Sequence, residues 1–390
     1  MRSRAGSRPA QQRAHHDRLL RRMDWSPALR PAGRPLDAII VPASRRAATL
    51  TGLIDLAAAC GTTLVVLASH DCSADDVAGL VASRPGSGRV VVARLPRHIP
   101  GLSTSAETFR ALSNHRSSNL SQKRNIGLLL ARHLGWDKIM FLDDDIIGIT
   151  PGHVTRVAHH LDRNRFAGLR TVKFPDNSVV CHANRLTGRP QGIFVSGAGL
   201  GVNTSGDSAL EVFPDIYNED WFAFAGEAQR AGVAHVGDVG QLEFNPFEDP
   251  GRAASEEFGD LLAEGLFSLF NDVGSLHQAG EGYWEAFIGE RHRLIEDVMN
   301  RLSDDTHQAI QAWKALHDAT RQLASITAAD CVTFLETWQE DRTRFGDRSR
   351  KAARQRLGLA DAFAALGVER WREARFGVAG PPVMPGVTCR

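Results

Sequence analysis

The sequence predicts an α/β fold: a mostly parallel sheet flanked by helices, followed by an α-helical C-terminal region. Three observations lead there. Short β-branched runs alternate with helix-forming segments through the first half of the chain, and parallel strands need crossovers of that kind. The apolar run Lys138-Ile-Met-Phe-Leu142 ends abruptly in Asp143, Asp144 and Asp145, which places three acids where the crevice of an open α/β sheet lies. Across residues 253–367 the apolar spacing becomes i, i+3, i+4 almost throughout.

The elements follow in order. Leu36-Asp-Ala-Ile-Ile-Val-Pro42 reads as a first strand stopped by proline, and residues 49–60 as a helix closed by Gly61. Residues 63–68 form a second buried strand, 75–83 a short helix and 89–94 a third strand. A polar stretch over 96–119 precedes a helix at 121–134 that feeds the acidic strand, and 154–162 is helical. Short strands at 168–173 and 193–196 bracket the region before a Gly197-Ala198-Gly199-Leu200-Gly201 loop, and a helix opens near Asn218 and runs to about 231. Residues 246–251 read as a boundary, with helices at 258–270, 283–302 and 306–323 beyond it and Trp284 and Trp313 as core residues.

With 390 residues, 43% of them hydrophobic and 23% charged, the chain is long enough for one large or two ordinary globular domains. A net charge of +1 supplies no overall field toward nucleic acid, so no nucleic-acid partner is expected. Five scattered cysteines without a CxxC pair argue for a reducing, cytoplasmic location and against a zinc site. No apolar run reaches the roughly 20 residues needed to span a bilayer. Residues 1–35 are Arg-rich and lack the apolar core of a secretory signal, so they read as a flexible leader, with a transit peptide or a peripheral membrane-surface anchor as alternatives. Residues 377–390 are rich in Pro and Gly and read as a disordered tail.

Three adjacent carboxylates repel one another unless a cation shares them. Hard ions such as Mg²⁺ and Mn²⁺ bind through one or two carboxylates plus the oxygens of a substrate phosphate, so the acidic strand end points to a metal-bound phosphate or diphosphate. The plainer alternative is a solvated acidic loop before a helix starting at Thr150-Pro151. Gln122-Lys123-Arg124-Asn125, near a helix N-terminus, suits an anion or else lies on a solvated face. Asn218-Glu219-Asp220 opens a helix, where acids complement the dipole. The neighbouring Tyr217, Trp221 and Phe222 would desolvate a carboxylate and tune it as a base. His235 is the leading candidate for a further metal ligand, ahead of His182 and His277.

Val41-Pro42-Ala43, Lys123-Arg124-Asn125-x-Gly127, Asp143-x-Asp145, Gly197-Ala198-Gly199 and Glu219-Asp220, in that order, resemble a GT-A-type nucleotide-sugar-dependent glycosyltransferase, nearest to family two. The resemblance covers residues 36–247 and implies a GT-A-like, Rossmann-like catalytic domain over 36–250. The helical region at 251–376 would then shape an acceptor pocket or a homo-oligomer interface. The implied reaction moves a sugar, of hexosyl type, from a nucleoside-diphosphate-sugar donor to an acceptor hydroxyl of unknown identity, with Mn²⁺ or Mg²⁺.

Carried over, Pro42, Ala43 and Asp71 lie around the nucleoside, although the acidic turn after the second strand is rewritten here as Ser69-His70-Asp71. Lys123 and Arg124 approach the diphosphate. Asp143 faces ribose or metal, and Asp145 ligates the metal. Strand alternation favours Asp143 and Asp145 over Asp144 as the pair facing the donor. The Gly197-Ala198-Gly199 backbone passes close to the donor sugar, and Asp220, or else Glu219, is the base. Inversion is the expected outcome, with retention left open.

Three competing readings stay in view. A haloacid-dehalogenase-like phosphatase would use Asp143 and Asp145, but has Thr or Val where this chain has Ile147. A sugar nucleotidyltransferase would carry a Gly-rich loop where this chain has Pro42-Ala43-Ser44-Arg45-Arg46. A non-catalytic glycosyltransferase-like scaffold would have no need of the acids.

Overall fold

The computed structural model describes residues 12–24, 33–86, 88–95, 101–303 and 306–377. The first half alternates as expected. Strand β1 (Leu20–Arg22) is followed by β2 (Ala38–Val41), α1 (Thr51–Cys60), β3 (Thr63–Ala68), α2 (Ala74–Ala82) and β4 (Val90–Arg94). Next come α3 (Glu107–Leu112), α4 (Leu120–Leu134), β5 (Lys138–Leu142), β6 (Ile146–Ile147), α5 (Pro151–His160) and β7 (Phe166–Thr171). Helix α6 (Val179–Leu186), β8 (Gly199–Asn203), α7 (Glu219–Arg230) and β9 (Val233–Gln241) complete that half. The remainder comprises α8 (Pro250–Asn271), α9 (Glu281–Arg301), α10 (His307–Leu323), α11 (Ala328–Gln355), α12 (Leu359–Ala365) and β10 (Arg370–Ala374).

The main sheet runs β1-β9-β7-β8-β5-β2-β3-β4-β10, with β6 paired to β9. Neighbours are parallel except around β8, at the β10 edge and in the β6 pair. Period-two alternation distributes side chains to two cores: Ile40, Val65 and Phe141 face one side, and Ile39, Val66 and Met140 the other. Helices α1, α2 and α5 cover the second side. Helices α4, α6 and α7 cover the first, and the same continuous core takes in α8 through α12. The C-terminal helices are therefore built onto the sheet. Buried Arg291 of α9 adds a polar tie, pairing with Glu257 at 2.8 Å and Asp260 at 2.6 Å of α8. Asp260 in turn accepts from Asn218 at 3.0 Å, fixing the turn that starts α7.

Several expectations are corrected. Part of the leader is built into the fold: β1 adds a parallel strand beside β9, and His16 is buried against Glu264 (2.8 Å) and Asn271 (2.6 Å). Residues 1–11 and 25–32, and the tail from 378 onward, lie outside the described residues. The region expected to be helical to 376 ends in β10, which pairs antiparallel with β4. The glycine loop ends at 198, because Gly199–Asn203 is β8, hydrogen-bonded between β5 and β7, while 193–196 is not a strand. Trp284 is fully buried, but Trp313 is 46% exposed and stacks on His317.

Candidate active site

The C-terminal ends of β2, β3, β5 and β9 converge on a cavity of about 1070 Å³. Its floor is the acidic turn after β5. Asp144 Oδ2 accepts the backbone N–H groups of Ser44 (2.7 Å) and Arg45 (2.9 Å), and its other oxygen meets the Arg45 guanidinium. Most of its acceptor capacity is therefore spent tying the β2 loop to the end of β5. Asp145 accepts from Arg45 at 2.9 Å and from Gln241 Nε2 at 3.0 Å. Asp143 receives Arg124 from behind, at 3.1 and 3.2 Å. Burial pushes the Asp143 carboxyl up to about 6, with Arg124 opposing, and raises Asp145 in the same way against Arg45.

Helix α4 supplies one wall. Lys123 is buried and donates to the Ala43 carbonyl at 2.7 Å, and burial pulls its pKa down to about 8, with Asp144 opposing. Asn119, at the N-cap, is 4% exposed and its Nδ2 has no partner among the described residues. Both residues line the cavity beside the first turn of the helix, whose N–H groups favour anions. Gly127 lets α4 close on β5, since a Cβ there would stand 2.8 Å from Phe141.

The structure gathers Pro42, Asp71, Lys123, Asp143, Asp144 and Asp145 around this cavity. Ala43 lies just beneath, through its carbonyl. Other expected residues lie elsewhere. Arg124 is fully enclosed, bound to Asp143 and Glu219, and so does not reach the cavity. Burial works against its charge, but Asp143, Glu219 and Asp220 more than offset this and raise its pKa. Gly197 is small because of Arg124: a Cβ would overlap the guanidinium. Ala198 is buried and accepts the Asp143 N–H at 3.0 Å, and Gly199 begins β8 against Leu169.

Glu219 and Asp220 are also behind the wall. Asp220 accepts the N–H of Gly197 and, at 2.8 Å, that of Trp221, and burial followed by Glu219 raises its pKa. His235 is not brought to the metal candidates, because it points along β9 to Asp238 at 2.9 Å. His182 stacks on Phe174, and burial lowers its pKa to about 4.

Arg45, Gln241 and the start of α8 also reach the site, although the sequence does not single them out as site residues. Arg252 and Glu256 from α8 line the cavity together with Tyr217, and Arg252 bonds Glu256 at 2.6 Å while lying over the Phe244 ring at 4.4 Å. The Arg45-Arg46 pair directly after a strand was the one local signal available; nothing local marks Gln241 or Glu256.

A divalent ion can be tested against these donors. Among the described residues no three His, Cys, Asp or Glu side chains converge as a metal cage. Asp143 is partly open to the cavity, and Gln241 Oε1, buried next to Asp145, has no hydrogen-bond partner. Hard oxygen donors of this kind fit a Mg²⁺- or Mn²⁺-like ion completed by substrate oxygens.

No protein-family model matches the chain, and no curated protein matches it. Among solved structures it is similar to glucosyl-3-phosphoglycerate synthase from Mycobacterium tuberculosis in complex with Mn²⁺, UDP and glucosyl-3-phosphoglycerate. That likeness has a TM-score of 0.36 and 17% identity and covers 62% of this chain and 86% of the other. It is also similar to the mannosyltransferase PcManGT from Pyrobaculum calidifontis in complex with GDP-Man and Mn²⁺. Here the TM-score is 0.35 and the identity 16%, with 85% and 89% of the two chains covered. At those TM-scores the likeness does not decide the chemistry of this chain.

Proposed function

We propose that the protein is a metal-dependent, GT-A-type glycosyltransferase that moves a sugar from a nucleoside diphosphate to an acceptor hydroxyl. One observation carries the reading: the Asp143–Asp145 turn, Lys123 and the β2 and β3 loops meet around a single cavity at the C-terminal ends of parallel strands. In it, Pro42 and Asp71 border the nucleoside. Lys123, Asn119 and the α4 N-terminus hold the diphosphate. A bound divalent ion, held by Asp143 and Asp145, would supply charge stabilisation on the departing diphosphate. Among the described residues no helix is long and apolar enough to cross a membrane.

Asp220 is assigned a positioning role, because its oxygens face the Gly197 and Trp221 N–H groups. Glu256 is assigned the base for the acceptor because, unlike Asp220, it lines the cavity: its oxygens accept the Val179 N–H at 2.9 Å and the Arg252 guanidinium at 2.6 Å, and burial raises its pKa against the pull of Arg252. Replacing Glu256 by Gln is expected to lower kcat about 10²-fold or more while leaving the affinity for the donor's nucleotide within a factor of about two. Equal losses in kcat and nucleotide affinity would return Glu256 to a structural role.

The test of the whole reading is a thermal-shift panel of UDP, GDP and dTDP with and without Mn²⁺. One nucleotide is expected to raise Tm only with metal; at a hundredfold excess over Kd the stabilisation is about 2.7 kcal/mol. A shift with inorganic phosphate and Mg²⁺ alone would favour phosphatase chemistry. Binding of the nucleotide should also fall as pH rises through about 8, because Lys123 then loses the proton that pairs it with the diphosphate. Calorimetric titration between pH 6.5 and 9.5 checks this, and a flat profile would remove Lys123 from the diphosphate site.

A further inference from the structure

A second cavity, of about 100 Å³, lies between α4, α11 and the loop near Leu102, and shares no lining residue with the first. Its wall is apolar where Leu102, Ile126, Phe345 and Leu366 meet. Two polar features break that surface. Gln122 of α4 is 6% exposed, lines the cavity, and its Oε1 has no hydrogen-bond partner among the described residues. A buried acceptor without a donor is unusual enough to need an explanation.

The mouth is positively charged. Asp341 accepts the Ser103 N–H, the Thr104 N–H and the Thr104 hydroxyl, each at 2.9 Å, and also holds Arg344 at 2.6 Å. Its charge is thus committed to the 103–104 loop and one arginine. Arg348, one turn further along α11, lines the same cavity and makes no ion pair among the described residues. An exposed guanidinium at the rim of an apolar pocket is suited to a carboxylate.

We propose that this cavity binds a short-chain hydroxy carboxylic acid: carboxylate on Arg348, chain among the apolar residues, hydroxyl donating to Gln122 Oε1. The size fits. A cavity of about 150 Å³ takes benzene, about 25 Å³ for each heavy atom, so one of about 100 Å³ takes about four, which are three methylenes and the hydroxyl, with the carboxylate outside at the exposed Arg348. Because Gln122 immediately precedes Lys123 on α4, the ligand would sit on the same helix that faces the large cavity.

The experiment is calorimetric titration of the full chain with 4-hydroxybutanoate, butanoate and 1-butanol, on wild type, Arg348→Glu and Gln122→Met. The expected order of affinity is hydroxy acid, then acid, then alcohol. Arg348→Glu is expected to weaken both acids about tenfold or more, as loss of a charge-assisted hydrogen bond does, and to leave the alcohol unchanged. Gln122→Met should erase the advantage of the hydroxyl. Since Arg348 is exposed, its variant is expected to keep the wild-type Tm, so a loss of binding there reports the contact. Absence of saturable binding by all three at millimolar concentration overturns the proposal, as does binding indifferent to Arg348→Glu.

Discussion

Asp145→Asn is expected to lower sugar transfer by about 10²–10³-fold, the loss typical of removing one preorganised electrostatic contact to a developing charge. Asp145 is 4% exposed and held from two sides, by Arg45 at 2.9 Å and by Gln241 at 3.0 Å. Asparagine keeps the volume and can still accept from Gln241, so the turn after β5 should persist. What is lost is the charge. Burial raises the pKa of Asp145, which means that its ionised form is disfavoured by the fold, and the neutral amide relieves that cost. Unfolding temperature is therefore expected to stay level or rise slightly while activity collapses and the Mn²⁺-dependent nucleotide shift disappears. The measurement is kcat on a verified donor together with Tm. Undiminished turnover in Asp145→Asn would sink the metal-site assignment.

Arg124→Ala is expected to cost about 3–5 kcal/mol of stability, the usual loss when one partner of a buried ion pair is removed. Arg124 is enclosed on all sides, and it meets Asp143 at 3.1 Å and Glu219 directly, with Asp220 close enough to act on its charge. Without it these acids are left uncompensated. The pH dependence gives a second check. Asp143 and Asp220 already have pKa values raised by burial, and losing the cation that opposes this raises them further. The folded variant then binds more protons than the unfolded chain. Its stability should rise as pH falls from 8 toward 5, and the gap to wild type should narrow. Urea denaturation at pH 8 and pH 5 measures both. A gap that is constant across that range would mean that Arg124 acts through packing and not charge.

Arg124 also shows how far the sequence could be read. The Lys-Arg-Asn-x-Gly helix and the acidic strand end lie where the sequence predicts them, because each has a local signal: a helical period, an apolar run, a change to acids. Lys123 does face the cavity. Arg124, one residue on, is rotated by a helical step of about 100° and points instead at the back of the acidic turn. The sequence carries both basic side chains, but only the position of Gly197 and Glu219 around the helix reveals which one is internal.

The same distinction runs through the rest. Asp143 and Asp145 were favoured over Asp144 by strand alternation, yet all three lie beyond β5 in a turn, where alternation does not hold. Asp144 is set apart because the β2 loop consumes its acceptors, a contact across about a hundred residues that no periodicity records. His235 was attractive as a histidine at a strand start, but in the structure the opposite end of β9, at Gln241, meets the acids.

By itself the sequence determined the α/β class, the order of most strands and helices, the acidic turn, and the helix that presents Lys123, because these rest on neighbours a few residues apart. The tertiary structure alone decided that residues 20–22 and 370–374 close the two edges of the sheet, that α8 supplies Arg252 and Glu256 to the cavity, and that Arg45 and Gln241 join Asp145. Each of those is a pairing between segments distant in the chain, fixed by the burial of two complementary surfaces and by hydrogen bonds that exist only once both are in place.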